Sequence, residues 1–161
     1  MVRLISVLLI VIGSGASAQS VSSEAEIQAM YESRLNKFQT APTPEAMADA
    51  YVADITDDAI WMPEGSPIVR GRDNVRDWAV WFFSTWKLEI GDSVAEPMLI
   101  DGNTAIRRWS SNGTYENKAT GERVPFSQKY VDILRRDETG RWRLECHVWS
   151  TNNRDFSIWT Q

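Results

Sequence analysis

Apolar positions along this chain fall into two regimes. Up to about residue 86 they recur at helical spacing, and beyond it they run in long alternating stretches broken by turn residues. Ile27, Met30, Tyr31, Leu35 and Phe38 share one helical face, which predicts an amphipathic helix over 24–39. Ser23, with Glu26 three residues later, reads as a capping box at its start. Thr43-Pro44 supplies an N-cap and a first helical residue for a shorter second helix, with Met47 and Tyr51 on one face. Asp54 to Asp58 reads as a polar turn, Ala59 to Met62 as a short strand, and residues 63–67 as a loop. Asp73 is the candidate cap of a third helix, where Val75, Trp78, Ala79, Phe82 and Phe83 form an i, i+3, i+4, i+7, i+8 stripe.

After Trp86 the turn signals dominate. Asp101-Gly102, Asn117 to Gly121 and Asp137 to Gly140 bound four strands at about 86–100, 103–116, 123–136 and 141–151. Consecutive hairpins make a meander. Three N-terminal helices packed on a curved antiparallel sheet, in the order α-α-β-α-β-β-β-β, is an α+β layout.

The N-terminus adds a compartment. Arg3 precedes an apolar run from Leu4 to Ile12, and Ala16-Ser17-Ala18 offers small residues at the positions a signal peptidase reads. The expectation is a signal peptide over 1–18, cleaved after Ala18, and a periplasmic or secreted protein. The run is far shorter than the roughly 20 apolar residues of a bilayer span, so no membrane span is expected after cleavage. Residues 19–23 are a polar leader. Losing 1–18 removes Arg3 and no acid, taking the formal charge from −5 to −6. That balance argues against a nucleic-acid partner, which needs clustered bases. One cysteine, Cys146, leaves no intramolecular disulfide, so stability rests on packing, consistent with eight Trp residues.

Several strings resemble the NTF2-like superfamily, which includes ketosteroid isomerases, SnoaL-like cyclases and DUF4440 proteins. They are Asp57-Asp58-Ala59-Ile60-Trp61-Met62-Pro63, then Arg70-Gly71-Arg72-Asp73-Asn74-Val75, then Lys129 to Arg136, Gly140-Arg141-Trp142 and Val148-Trp149-Ser150. The resemblance spans 24–152 and leaves a tail at 153–161. It implies a cone, a bent sheet around helices with a pocket for a small molecule at its open end, and a homodimer formed through the outer sheet face.

The resemblance also sorts the chemistry. Tyr31 falls where an isomerase has its donor tyrosine, and Asp132 where it keeps a protonated acid. Met62 stands where the base would be, and a thioether moves no proton. His147 is the single histidine, the side chain whose ordinary pKa lies nearest neutrality. Strand alternation puts Arg143, Glu145, His147 and Trp149 on one face. If that face lines the pocket, Asp132 and His147 pair as orienter and general base. Trp142, Leu144, Cys146 and Val148 make the more apolar face, so the residues alone leave open that this one is the core. A dimer packing there would reconcile the two. Trp61, Trp78, Phe82, Trp109 and Trp149 are candidate aromatic walls, with Met62 and Glu145 beside them. Arg108 or Lys129 is a candidate partner for Asp132 or for an anionic ligand. No metal is expected, because one His and one Cys make no usual zinc site, and no cofactor is expected. The function expected is an exported protein with a pocket for a small apolar or aromatic molecule and, if it is an enzyme, cofactor-independent acid–base catalysis of the isomerase, dehydratase or cyclase type. The alternative is a non-catalytic ligand-binding or dimeric interaction module.

Overall fold

The computed structural model describes residues 15–152. The apolar run at 4–12 and the tail at 153–161 lie outside them. The elements follow in the order α1 (Gly15–Thr40), α2 (Pro44–Val52), β1 (Ile55–Met62), β2 (Val69–Arg70), α3 (Arg72–Thr85), β3 (Trp86–Ala95), β4 (Leu99–Asp101), β5 (Thr104–Asn117), β6 (Arg123–Arg136) and β7 (Trp142–Thr151). The three helices pack on a curved sheet of seven strands, ordered β2-β1-β7-β6-β5-β3, with β4 also on β5. The meander is antiparallel, but β1 joins β7 in parallel, so the sheet is mixed and open.

Local chemistry explains most boundaries. Thr43 caps α2 by accepting from the Ala46 amide at 3.2 Å, with Pro44 in the first turn. The third helix starts on Gly71 rather than on a cap at Asp73. Gly71 sits at φ 84°, where a side chain would be strained, and Asp73 lies in the first turn without capping. The capping box at Ser23 is also overturned, because α1 begins upstream of it. Ser23 is buried and accepts from Arg136 Nη2 at 3.0 Å, and Glu26 pairs with the same guanidinium at 2.6 Å. The two residues serve a tertiary contact that local spacing cannot distinguish from a helix start.

The turn expected at 54–58 is mostly strand, since β1 already begins at Ile55, which is fully buried. β2 is a two-residue pairing, Val69 with Trp61 and Arg70 with Ile60, too short to leave a period. The strand expected at 86–100 is broken after Ala95 into β3 and β4. Sheet closure is tight at Gly113, where an added Cβ would meet the Glu89 carbonyl and two Phe126 ring atoms at 2.6 and 2.7 Å. The core under the helices joins Ile27, Ile55, Trp61, Val75, Leu134 and Leu144. A smaller cluster of Ala48, Ala79 and Phe83 ties α2 to α3.

Candidate active site

Beside that core the inner sheet face and the helices line an open cavity of about 350 Å³. Tyr31 and Arg34 come from α1, and Trp78 and Phe82 from α3. Arg107 and Trp109 come from β5, Gln128, Tyr130 and Asp132 from β6, and His147 and Trp149 from β7. Alternation on β5 turns Ala105, Arg107, Trp109 and Ser111 inward, and their partners on β6 are Leu134, Asp132, Tyr130 and Gln128. Two neighbouring strands thus deliver their polar residues to one wall.

The wall centres on Asp132, which is 0% exposed. Its Oδ2 accepts from the Tyr31 hydroxyl at 2.7 Å and from Trp109 Nε1 at 2.8 Å. Arg107 Nη1 lies 3.5 Å from the same oxygen, and His147 Nδ1 is 2.5 Å from Oδ1. Indole and guanidinium can only donate, so Oδ2 is an acceptor toward Trp109 and Arg107, as in an ionised carboxylate. Burial pushes its pKa up, but the attraction of His147 in its protonated form and the hydrogen bonds from His147, Tyr31 and Trp109 outweigh burial and hold it below the usual carboxylate range. This corrects the resemblance, which implies a protonated acid here. Tyr31 is correspondingly a fixed donor. Burial first, then the Asp132 charge, raises its phenol well above the ordinary value.

An ionised Asp132 fixes the imidazole. With Oδ1 accepting from a proton on His147 Nδ1, the neutral form of the ring has its lone pair on Nε2. Nε2 has no hydrogen-bond partner among the described residues, on a side chain that lines the cavity. Trp61, Tyr130 and Trp149 hold the ring at centroid distances of 5.4, 5.7 and 4.9 Å. A carboxylate at one imidazole nitrogen, with the other unpartnered at the cavity among the described residues, is the arrangement that general-base chemistry requires.

A β-bulge resolves the choice of face. Opposite β6, Leu144 pairs with Leu134 and Cys146 with Ile133, so Glu145 is an extra residue without a partner. The insertion shifts the alternation by one. Trp142 and Leu144 therefore point inward before it, and His147 and Trp149 point inward after it. No dimer is needed to reconcile the apolar face with the histidine face. Glu145 itself faces away from the cavity and pairs with Arg135 at 2.7 Å, which removes it from the ligand-binding set.

Other expected residues divide. Trp78, Phe82, Trp109 and Trp149 line the cavity. Trp61 does not; it is fully buried behind His147 and donates to the Tyr51 hydroxyl at 2.8 Å. Met62, one residue further along β1, points outward and is 38% exposed. Arg108 and Lys129 lie on the outer face, and Arg108 donates to the Pro97 carbonyl at 3.3 Å. The arginine that meets Asp132 is Arg107. The sequence holds a signal for it, because placing Trp109 inward places Arg107 inward as well. Arg34 and Gln128 carried no comparable signal. Cys146 faces away from the imidazole, and burial raises its thiol pKa, which disfavours the thiolate. Among the described residues no group of three or more His, Cys, Asp or Glu side chains could hold a metal, and no helix is long and apolar enough to cross a membrane.

Residues 19–145 match the SnoaL-like domain. Among solved structures, a ketosteroid isomerase-like protein from Erwinia carotovora atroseptica superposes with TM-score 0.69 at 26% identity, over 80% of this chain and 95% of that one. A conserved protein from Planctomyces limnophilus gives TM-score 0.67 at 15% identity, over 81% of this chain and 98% of that one. A hexachlorocyclohexane dehydrochlorinase (LinA) of type 2 gives TM-score 0.66 at 15% identity, over 86% of this chain and 90% of that one. The last two show the fold alone. Comparison with curated proteins gives no match.

Proposed function

The chain belongs to the SnoaL-like domain family, and from that premise we propose that it is a cofactor-independent acid–base enzyme acting on a small, largely apolar or aromatic molecule. The observation that carries this reading is the 2.5 Å contact of His147 Nδ1 with the buried Asp132, which leaves Nε2 unpartnered at the cavity. Nε2 takes a proton from a substrate carbon, and the imidazolium so formed is stabilised by Asp132. The proton is then returned to another atom of the same molecule, which is an isomerisation or cyclisation. Alternatively it goes to a departing group, which is an elimination. Tyr31 and Trp109 hold the carboxylate, and their hydrogens are already committed to it. Trp78, Phe82 and Trp149 hold the flat body of the substrate and keep water out. A hexachlorocyclohexane dehydrochlorinase on this fold is in keeping with elimination chemistry.

The test needs no knowledge of the natural substrate. Ring opening of 5-nitrobenzisoxazole reports any positioned base, because C–H deprotonation breaks the N–O bond and releases a coloured phenolate. The expected result is a rate well above that of free imidazole at equal concentration, abolished in His147→Gln. No excess over imidazole, or an unaffected variant, would overturn the proposal. A non-catalytic binding module is the second reading, supported by the outward Met62 at the position of the isomerase base. It gains if the protein retains small aromatic ligands yet opens no ring.

Export and assembly belong to the same proposal. Residues 1–18 are read as a cleaved signal, so the intact mass of the mature protein should begin at Gln19; a retained leader would refute this. Exposed Val94, Leu99 and Val131 support a homodimer, and light scattering of a monomer at micromolar concentration would refute it.

A further inference from the structure

The cavity holds more positive charge than its acid can balance. Of the described residues lining it, Asp132 is the sole carboxylate, while Arg34 and Arg107 are both present. Asp132 is already satisfied by Tyr31, Trp109 and His147, with Arg107 alongside. Arg107 is clamped between aromatic faces, 4.3 Å from the Tyr31 ring and 4.7 Å from the Trp109 ring. Arg34 lies one helical turn beyond Tyr31, over the Tyr51 ring at 4.5 Å. It is half-buried and has no carboxylate partner among the described residues. Its charge acts on both Tyr31 and Tyr51, in each case against the upward push of burial. Arg34 is therefore a cation lining the cavity from α1, with the Tyr51 ring and hydroxyl beside it and no carboxylate partner among the described residues.

We propose that the substrate of this site is an aromatic or apolar carboxylate, whose head group is bound by Arg34 with Arg107 behind it. The inference rests on the acid–base reading for the word substrate, but the binding it describes requires no turnover. Physical chemistry favours an anion here. A neutral apolar ligand filling the cavity would strip water from the Arg34 guanidinium and give nothing back. A carboxylate would replace that water with charge-assisted hydrogen bonds to a planar fork of matching geometry. The chain as a whole carries −5, so this local positive charge is not a consequence of composition. The apolar walls then accept the ring body, while the head group fixes which carbon meets His147 Nε2.

Paired probes of equal shape test this: 2-naphthoate and 2-naphthamide, titrated into the mature protein by calorimetry. The carboxylate is expected to bind about tenfold or more tightly than the amide, the scale of a charge-assisted pair in a partly desolvated site. Arg34→Gln should bring that ratio to near one, and Arg34→Lys should restore part of it, which a loss of folding would not do. His147→Gln should keep the ratio, because proton acceptor and head-group site are separate. A carboxylate preference surviving there, with no ring opening in the wild type, would leave this inference standing and remove the catalytic reading. Equal binding of the two probes, no saturable binding of the carboxylate, or an unchanged ratio in Arg34→Gln would overturn it.

Discussion

Replacing Asp132 by asparagine should reverse the tautomer of His147 and silence the base. The change keeps the shape of the side chain and removes its charge. The amide has one acceptor atom where the carboxylate has two. Trp109 Nε1 cannot rotate its hydrogen away, so the oxygen should stay at the Oδ2 position, between Trp109 at 2.8 Å and Tyr31 at 2.7 Å. The NH₂ group then faces His147 Nδ1 at the place where Oδ1 sits 2.5 Å away. Nδ1 must become an acceptor, and the ring proton moves to Nε2. A general base contributes about 10²–10⁴-fold, and that is the loss expected in ring opening. Arg107, its side chain only 12% exposed, would also lose its counter-charge. Breaking a buried pair costs about 3–5 kcal/mol, and the retained oxygen places this case near 3. In a domain of this size that is roughly a 10 °C fall in Tm. The chain has one histidine, so a long-range proton–nitrogen spectrum of the ring reads the tautomer without assignment. A Nδ1–H ring in wild type and a Nε2–H ring in the variant are expected. A folded variant that kept the Nδ1–H tautomer and its full rate would refute the reasoning.

Other outcomes follow from the same contacts. Asp132 titrates below its ordinary range, so its ionised form adds stability above the unfolded value of about 3.9. That stability is lost as the pH falls through the lower folded value, so the gap in urea midpoint between wild type and Asp132→Asn should shrink from pH 7 to pH 3. Tyr31→Phe removes one of several donors to Asp132, and should cost about 1 kcal/mol while slowing ring opening roughly tenfold or less. A total loss of activity would instead make Tyr31 a donor to substrate. Gly113→Ala drives a methyl group against the Glu89 carbonyl and the Phe126 ring. It should cost at least about 1–3 kcal/mol by chemical denaturation, and an unchanged midpoint would show that β3 and β5 separate easily there.

What the sequence determines is periodicity and inventory. The helical stripes, the Thr43-Pro44 start of α2 and the turn residues at 101–102, 117–121 and 137–140 mark three helices and the long strands, because these signals lie within a few residues of one another. The inventory singled out His147 and Asp132, which the sheet pairs directly across β6 and β7. Tertiary structure alone decided which residues reach the site. The extra residue at Glu145 inverts the face of everything after it, and a bulge exists only relative to its partner strand. The same dependence separates Arg107 from Arg108, and Trp61 from Met62, because neighbouring strand residues point to opposite sides. Ser23 and Glu26 carry the local signature of a helix start, and Arg136, more than a hundred residues away, uses both instead. Arg34 shows the limit most clearly. On its helix it is one polar residue beside an apolar stripe, and its unbalanced charge appears only when six other elements close around it. Local order is written in near neighbours, whereas a site is a sum over strands and helices distant in the chain.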